Sequence, residues 1–284
     1  MELKTKPKCV FKYLTKCQIN PCPPGFADCL RGMIASYNYS KNYNYDFLIC
    51  KNTHPIFQFF KNTPYFIEDS IDDSIELIAP LSYKQIDIVL ESMFKGGDSF
   101  SILTNSFYKN DRGELEWFPR LGKDVQKFFC YAFIPNDDIS NRIKEIFINS
   151  YYFTSDTPFN VIHLRTMELE DDSVQGKIEE MVEYFYEKIN PLVKGASEKF
   201  VLMTDSEKVA NMLCSLMPEL CYWSNKKGHT GVIVDDIDSI RDTVIDFFIM
   251  TKAKKIYTIT DKYAHMSGFC KIVSLLYDIE YIVL

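Results

Sequence analysis

The segment from Val161 to Arg165 reads V-I-H-L-R and holds the side chains of this sequence best suited to chemistry. Its apolar, β-branched start predicts a buried strand, and a histidine and an arginine stand where that strand ends. The guanidinium of Arg165 is always charged, and its rigid fork of donors matches the oxygens of a phosphate. We therefore expect Arg165 to hold a diphosphate; the alternative is a strand-end arginine paired with a nearby carboxylate.

Polar residues also follow two other predicted strands of the second half. The first of these sets is Thr204, Asp205 and Ser206, and the second runs from Thr258 to Asp261. Because the carboxyl ends of parallel strands meet at the edge where open α/β sheets bind ligands, three such ends predict one binding site. The alternative for Asp205 or Ser206 is a role as the N-cap of the following helix.

A glycine-bearing turn near the amino terminus reads P-G-F-A-D-C-L-R-G and leads into a predicted helix. Gly25 and Phe26 open this turn, and Asp28 and Arg31 lie in the first helical turns. A glycine lets the backbone approach a ligand closely, and a helix amino end attracts anions. An alternative of equal weight is that Gly25 only allows the turn and that Arg31 is a solvated side chain.

These residues require an α/β framework. In the second half, strands alternate with helices, which predicts a parallel, Rossmann-like sheet covered on both faces. Its predicted strands are 159–164, 200–204, 221–223, 256–259 and 281–284, and its helices are 173–190 (stopped by Pro191), 207–216, 236–252 and 263–277. In the first half, the predicted strands are 9–13, 46–50, 100–104 and 127–134, and the helices are 26–41, 83–90 and 139–149. Turn residues accumulate from Tyr151 to Pro158, so the predicted domains are 1–152 and 153–284.

Composition limits the class of protein. A length of 284 residues fits two domains, and 46% hydrophobic with 25% charged residues is typical of a globular protein with a core. A net charge of −7 argues against nonspecific nucleic-acid binding, which needs a basic footprint. Because no apolar run approaches the roughly 20 residues of a membrane span and the first residues do not resemble a signal peptide, we expect a cytoplasmic protein.

The cysteines and the missing motifs exclude several kinds of site. Nine cysteines without a C-x-x-C pair predict neither a disulfide framework nor a zinc site. Cys50, Cys130 and Cys270 lie in apolar runs and are predicted to be buried thiols. There is no G-x-G-x-x-G after a predicted strand, no Walker A sequence, no H-E-x-x-H and no G-x-S-x-G. A hydride-transferring dinucleotide enzyme is therefore not expected.

Several short motifs resemble the fucosyltransferase superfamily, which includes the α-1,6-, α-1,2- and protein O-fucosyltransferases. They are H-L-R, T-D-S, D-F-F-I-M-T-K-A-K-K-I-Y-T-I-T with S-G-F, and the opening P-G-F-A-D-C-L-R-G-M-I-A-S-Y. The resemblance covers the second half and residues 21–50. It implies an α/β fold of the GT-B type, with two Rossmann-like domains facing across a cleft. Domain 1–152 would then lie on the acceptor side, and domain 153–284 would bind the nucleotide sugar.

The resemblance also implies roles for single residues. Arg165 would hold the donor β-phosphate with support from His163, Asp205 would lie near the nucleoside, and Asp246 would contact the base or its loop. Hydroxyl and amide donors to the diphosphate would come from the last strand end and the helix start after it. The complete predicted donor-binding set is His163, Arg165, Thr204, Asp205, His229, Asp246, Thr258, Thr260, Ser267 and Gly268, with Gly25, Phe26 and Arg31 in the glycine loop.

The implied chemistry is an inverting glycosyl transfer without a metal or another cofactor. Negative charge builds on the departing diphosphate, so Arg165 is predicted to be catalytic. Inversion also requires a base for the acceptor hydroxyl, and Asp28 is the predicted base. An acid of the run Glu168–Asp172, or Asp72 or Asp73, are the alternatives, although an acidic run is commonly a solvated helix start.

One departure from the family leaves the donor open. The α-1,6 type has two consecutive arginines followed by Asp-Lys, whereas here Thr166 replaces the second arginine and Met167-Glu168 the rest. The expected donor is therefore GDP-fucose or a UDP-xylose-type sugar, and the expected acceptor is an oligosaccharide or glycan. We expect no nucleic-acid partner and no membrane span. The composition also resembles that of large-DNA-virus proteins, which favours a chlorovirus-type glycan-modifying enzyme in the host cytoplasm.

Two other classes stay open at this point. One is a noncatalytic nucleotide- or glycan-binding module with a degenerate glycosyltransferase fold. The other is a phosphate-ester hydrolase, which would need a metal-carboxylate cluster that the sequence does not offer.

Overall fold

The computed structural model describes residues 6–13, 25–69, 74–77, 83–104, 108–109, 115–116, 121–166, 175–225, 230, 235–261, 263–264 and 267–284. The chain forms two compact units. The first contains Met1–Asn136 and Gly228–Arg241, and the second contains Asp137–Lys227 and Asp242–Leu284. The predicted boundary between residues 152 and 153 lies inside the second unit, and the return of Gly228–Arg241 to the first unit has no counterpart in the prediction.

The first unit is built on a five-stranded sheet in the order β3-β2-β1-β5-β4, with every pair parallel. Its strands are β1 Lys8–Lys12, β2 Asp46–Cys50, β3 Phe66–Ile67, β4 Ser74–Leu77 and β5 Phe100–Thr104. Its main helices are α1 Phe26–Asn42, α2 Tyr83–Gly96 and α3 Lys123–Ala132. A two-stranded antiparallel pair, β6 Tyr108–Lys109 and β7 Leu115–Glu116, is added.

The helix α3 corrects the predicted strand 127–134. Val125, Phe128, Phe129 and Ala132 are buried, which is the i, i+3, i+4, i+7 spacing of one helix face. The prediction followed the dense apolar run and overlooked this period. In the helix, Tyr131 is 66% exposed, and Cys130 is exposed rather than buried as predicted.

The second unit has the order β10-β9-β8-β11-β12, again entirely parallel. Its strands are β8 Phe159–Leu164, β9 Lys199–Thr204, β10 Leu220–Cys221, β11 Lys255–Thr258 and β12 Glu280–Val283. Its helices are α4 Asp137–Asn149, α5 Gln175–Val193, α6 Glu207–Leu216, α7 Ile237–Met250, whose first turn belongs to the first unit, and α8 Gly268–Leu276. Pro191 lies inside the end of α5 instead of stopping it, so this detail of the prediction was wrong.

The core of the second unit shows why β8 is central. Ile162 and Leu164 are buried in a cluster with the apolar faces of α5 and α6, including Phe185 and Leu213. Each such side chain contributes about 1.5–3 kcal/mol when fully buried. Because side chains alternate along a strand, the neighbouring His163 faces the opposite side of the sheet. In the described part of the chain, no helix is long and apolar enough to cross a membrane.

Candidate functional site

The order of strands in the second unit identifies the edge where a ligand is expected. From β8 the chain runs through α5 to β9 on one side, whereas β11 pairs with β8 on the other side. The strand order reverses between β8 and β11, and open α/β sheets bind ligands outside the carboxyl ends of the strands at such a point. Arg165 follows β8 at this position, and Thr260 follows β11.

Arg165 is partly exposed at the carboxyl end of the central strand. Among the described residues it forms no ion pair and no hydrogen bond, so no carboxylate of that part of the chain neutralises its guanidinium. The alternative of a structural pair with a nearby acid is therefore not observed there; the acidic run Glu168–Asp172 lies outside the described residues. A positive, partly exposed guanidinium in this place can meet an anion.

A hydrogen-bonded latch, formed by Thr166 and Asp205, fixes the backbone next to Arg165. The amide and the hydroxyl of Thr166 both donate to Oδ1 of Asp205, each at 2.7 Å. Thr166 is buried, and its two donors satisfy a carboxylate that would otherwise compete for the guanidinium beside it. The latch joins the ends of β8 and β9, and it gives Asp205 a structural partner that the sequence did not indicate.

The first turn of α8 lies beside the end of β8. The ring of Phe269 contacts the imidazole of His163 edge-on, with centroids 6.4 Å apart. Ser267 is the N-cap of α8, yet its side chain makes no capping hydrogen bond. Within the described residues, the N-cap side chain thus leaves the first amides of α8 uncapped, which is the arrangement that attracts phosphates at helix amino ends.

Two predicted hydroxyl donors are used inside the protein. Thr258 is fully buried, and its hydroxyl donates to the backbone carbonyl of His163 at 2.9 Å. A hydroxyl has one hydrogen, so Thr258 is not free to donate to a diphosphate while this bond is intact. The hydroxyl of Thr204 donates to Oδ1 of Asp205 at 3.5 Å and accepts from the amide of Ser206 at 3.3 Å. The side chain of Ser206 caps α6, which was the alternative interpretation. Thr260, by contrast, is exposed.

The carboxylate of Asp246 holds the chain that follows β10. Nδ2 of Asn225 lies 3.1 Å from both carboxylate oxygens, and the indole Nε1 of Trp223 donates to Oδ1 at 3.2 Å. Asp246 is buried in α7, so these donors satisfy a charge that would be costly alone. His229, in the segment that follows, lies outside the described residues, and the contact of Asp246 with a base stays a prediction.

In the first unit, Asp28 and Arg31 form an ion pair one turn apart at the start of α1. The side chain of Arg31 is 10% exposed and that of Asp28 is 35% exposed, so the carboxylate keeps an accessible side. Gly25 has an extended backbone, with φ −73° and ψ 177°, that does not require glycine. Phe26 is buried against Phe60. Asp72 and Asp73 lie outside the described residues.

In the parts of the chain that the structure describes, no group of three or more histidine, cysteine or acidic side chains could hold a metal ion. The expectation of a metal-independent reaction stays a prediction, because several of the acidic candidates fall outside those parts.

The fold is similar to that of solved fucosyltransferases. Fucosyltransferase NodZ from Bradyrhizobium superposes with a TM-score of 0.57 at 17% identity, over 96% of this chain and 94% of NodZ. NodZ α-1,6-fucosyltransferase soaked with GDP-fucose gives 0.56 at 15% identity, over 95% and 93%. A mutant of Arabidopsis thaliana FUT1 in complex with GDP gives 0.61 at 11% identity, over 100% of this chain and 71% of FUT1.

At these low identities, the structural similarity shows the fold alone. The predicted class, α/β of the GT-B type with two Rossmann-like domains, is confirmed. No protein-family model matches the sequence, and a search of curated proteins found no match.

Proposed function

We propose that this chain is a glycosyltransferase that moves a sugar from a nucleotide diphosphate sugar to a glycan acceptor. The observation that carries the proposal is Arg165: a guanidinium unpaired within the described residues, partly exposed, at the carboxyl end of β8 where the strand order reverses. The start of α8, which lacks a side-chain cap, lies beside the same strand end. Together they supply a full and a partial positive charge, which a diphosphate needs.

In the proposed reaction, the bond between the sugar C1 and the diphosphate oxygen breaks, and C1 bonds to the acceptor oxygen on its opposite face. The diphosphate leaves with the bonding electron pair, and Arg165 stabilises the charge that develops on it. The acceptor hydroxyl gives its proton to a carboxylate, for which Asp28 is our candidate. This path inverts the anomeric centre and routes no step through a metal.

GDP-fucose is the first donor to test. One NodZ structure was soaked with GDP-fucose, and the FUT1 mutant is in complex with GDP, which supports a guanine nucleotide here. The buried Thr166 at the position of the family's second arginine turns toward Asp205, so no second cation stands at this position. A UDP-xylose-type donor is the second candidate for that reason. The acceptor-side role of the first unit, the cytoplasmic location and the viral origin stay predictions.

The first experiment incubates the purified protein with GDP-fucose or UDP-xylose, with and without a panel of oligosaccharide acceptors, and with and without EDTA. Released nucleoside diphosphate and the acceptor's mass are measured. We expect acceptor-dependent release of GDP that EDTA does not abolish. Binding of GDP as a thermal shift, without release from either sugar donor, would favour the noncatalytic module instead.

Arg165→Ala tests the proposed site directly. Loss of one donor to the transition state predicts a fall in transfer of about 100-fold or more. The matched control is Arg142→Ala, which removes an exposed arginine of α4 that pairs with Glu145 and should leave transfer unchanged. A folded Arg165→Ala protein that keeps near-normal turnover would contradict the assignment.

A further inference from the structure

A buried polar cluster in the first unit holds Thr230. The phenol oxygen of Tyr13 lies 3.0 Å from Oγ1 of Thr230, and Nε2 of His54 lies 2.8 Å from the carbonyl oxygen of Thr230. The rings of Tyr13 and His54 are stacked, with centroids 4.0 Å apart and planes 20° apart. All three residues are buried, with exposures of 2–4%. One residue of a long connection is thus held by its backbone and by its side chain.

The hydrogen bonds fix the state of the imidazole. The amide of Ile56 donates to Nδ1 of His54 at 3.0 Å, so Nδ1 is an acceptor without a proton. The carbonyl of Thr230 only accepts, so Nε2 carries the hydrogen. His54 is therefore neutral and held in a single tautomer. The orientation of its ring is set before any ligand binds.

The position of Tyr13 connects this cluster with the predicted acceptor side. Tyr13 follows β1, its amide donates to Oγ1 of Thr53 after β2, and both lie at the carboxyl edge of the first sheet. Burial, and to a smaller extent the negative charge of Asp28 in α1, raise the pKa of the Tyr13 phenol well above the usual value.

Thr230 belongs to Gly228–Arg241, which joins the first unit although it connects β10 with α7. Five residues earlier, Asn225 is bound to Asp246 in the second unit. The same connection is thus anchored once within each unit.

We propose that Tyr13 and His54 are positioning residues that hold Thr230 at the carboxyl edge of the first sheet and so set the geometry of the acceptor site. The last clause rests on the proposed transferase function. Neither residue touches the reacting atoms. Loss of this Tyr13–His54–Thr230 clasp should weaken the use of the acceptor and leave donor binding intact.

The test is a double-mutant cycle of Tyr13→Phe and Thr230→Val, which remove the two hydroxyls of one hydrogen bond. Each single change leaves the other hydroxyl without this hydrogen bond. The double variant should therefore be at least as stable, and at least as active, as the less stable of the two single variants. We expect the single variants to raise the acceptor KM about fivefold or more, with the donor KM within about twofold of wild type. Additive effects, an unchanged acceptor KM or an equal rise of both constants would overturn the proposal.

The matched control is Tyr45→Phe. Tyr45 is another buried tyrosine of the first unit, bonded through its hydroxyl to the carbonyl of Met93, and it precedes β2 rather than following β1. It should affect stability without a selective change in the acceptor KM. A rise in the acceptor KM as large as that of Tyr13→Phe would show a general packing effect and overturn the proposal.

Two substitutions of His54 separate its two bonds. Gln places an amide donor near the position of Nε2 and can retain the bond to Thr230, whereas Asn places an acceptor near Nδ1 for the amide of Ile56. We expect His54→Gln to preserve the acceptor KM better than His54→Asn. The reverse order would overturn the role of the Thr230 bond.

The cycle also separates this proposal from the proposed function. Unfolding midpoints of the four proteins need no substrate. If the two changes are coupled in stability but no donor supports transfer, the clasp is a structural anchor only. That result would contradict the proposed function and, with it, the acceptor role of the clasp. Absence of coupling would overturn the clasp whatever the activity.

Discussion

Asp205 is a strand-end side chain whose observed partners lie within the protein. Its carboxylate was predicted near the nucleoside, and the structure gives it two short bonds from Thr166. These bonds span 39 residues in sequence, so no local pattern could have indicated them. The types of residue at the strand ends were predictable, whereas the partner of each was not.

Removal of the Thr166–Asp205 latch should affect transfer through Arg165. We expect Asp205→Ala to lower transfer about 10-fold or more, because two donors lose their acceptor and the backbone beside Arg165 is released. Thr166→Val keeps its amide donor, so it should lower transfer less than Asp205→Ala does. The lost hydroxyl bond should lower the free energy of unfolding by about 0.5–1.5 kcal/mol. Donor titrations and steady-state rates of both variants measure the effects.

Ser206→Ala serves as the control for the latch. Ser206 caps α6 beside Asp205, and its loss should cost about 1 kcal/mol of stability with little change in donor affinity. If Asp205→Ala behaves like this control, the latch does not position Arg165.

At the scale of elements, periodicity decided which predictions succeeded. The strand 159–164 and the helix 207–216 were predicted with their observed bounds. The strand is a short apolar run, and the helix shows apolar residues at helical spacing, so each segment fits one type of element. The helix α3 was misjudged, since a run rich in phenylalanine satisfies both periods. Burial on one side of α3 resolves the ambiguity in favour of the helix.

A pair of alanine substitutions distinguishes helix from strand at 127–134. In a strand, residues 129 and 131 would share a face and be buried together; in α3, Phe129 is fully buried and Tyr131 is 66% exposed. We expect Phe129→Ala to lower the free energy of unfolding by about 3–5 kcal/mol and Tyr131→Ala by less than about 0.5 kcal/mol. Urea unfolding measures both, and similar losses would restore the strand.

For the whole molecule, the sequence indicated two α/β halves and their class but not which segments each half contains. The bond between Tyr13 and Thr230 joins residues 217 apart, and such long-range pairs leave no trace in local periodicity. The sheet edge that carries Arg165 was predictable because strand ends and helix starts are local. The assignment of Gly228–Arg241 to the first unit required the structure.

Stability should fall in acid because of His54. Burial lowers the pKa of this imidazole from its usual 6.5 to about 4, despite the bond to the carbonyl of Thr230. The unfolded chain therefore binds more protons between these values, so the contribution is complete above pH 6.5 and is lost as the pH falls toward 4. The full loss is on the order of 3 kcal/mol.

Urea unfolding at pH 7 and pH 4.5 measures this dependence. His54→Asn, which does not titrate, should reduce the difference between the two pH values. An equal pH dependence in the wild type and this variant would assign the acid sensitivity to the carboxylates instead.

Because the chain passes from one unit to the other three times, after Asn136, after Lys227 and after Arg241, neither half can be excised as one continuous piece. A fragment beginning at Asp137 would carry Thr230 without Tyr13 and His54, and the complementary fragment would lose the buried Thr230. Truncation to isolate a nucleotide-binding domain should therefore yield an unstable product. Because the helix Ile237–Met250 contains residues of both units, we expect a cut within it to destabilise both.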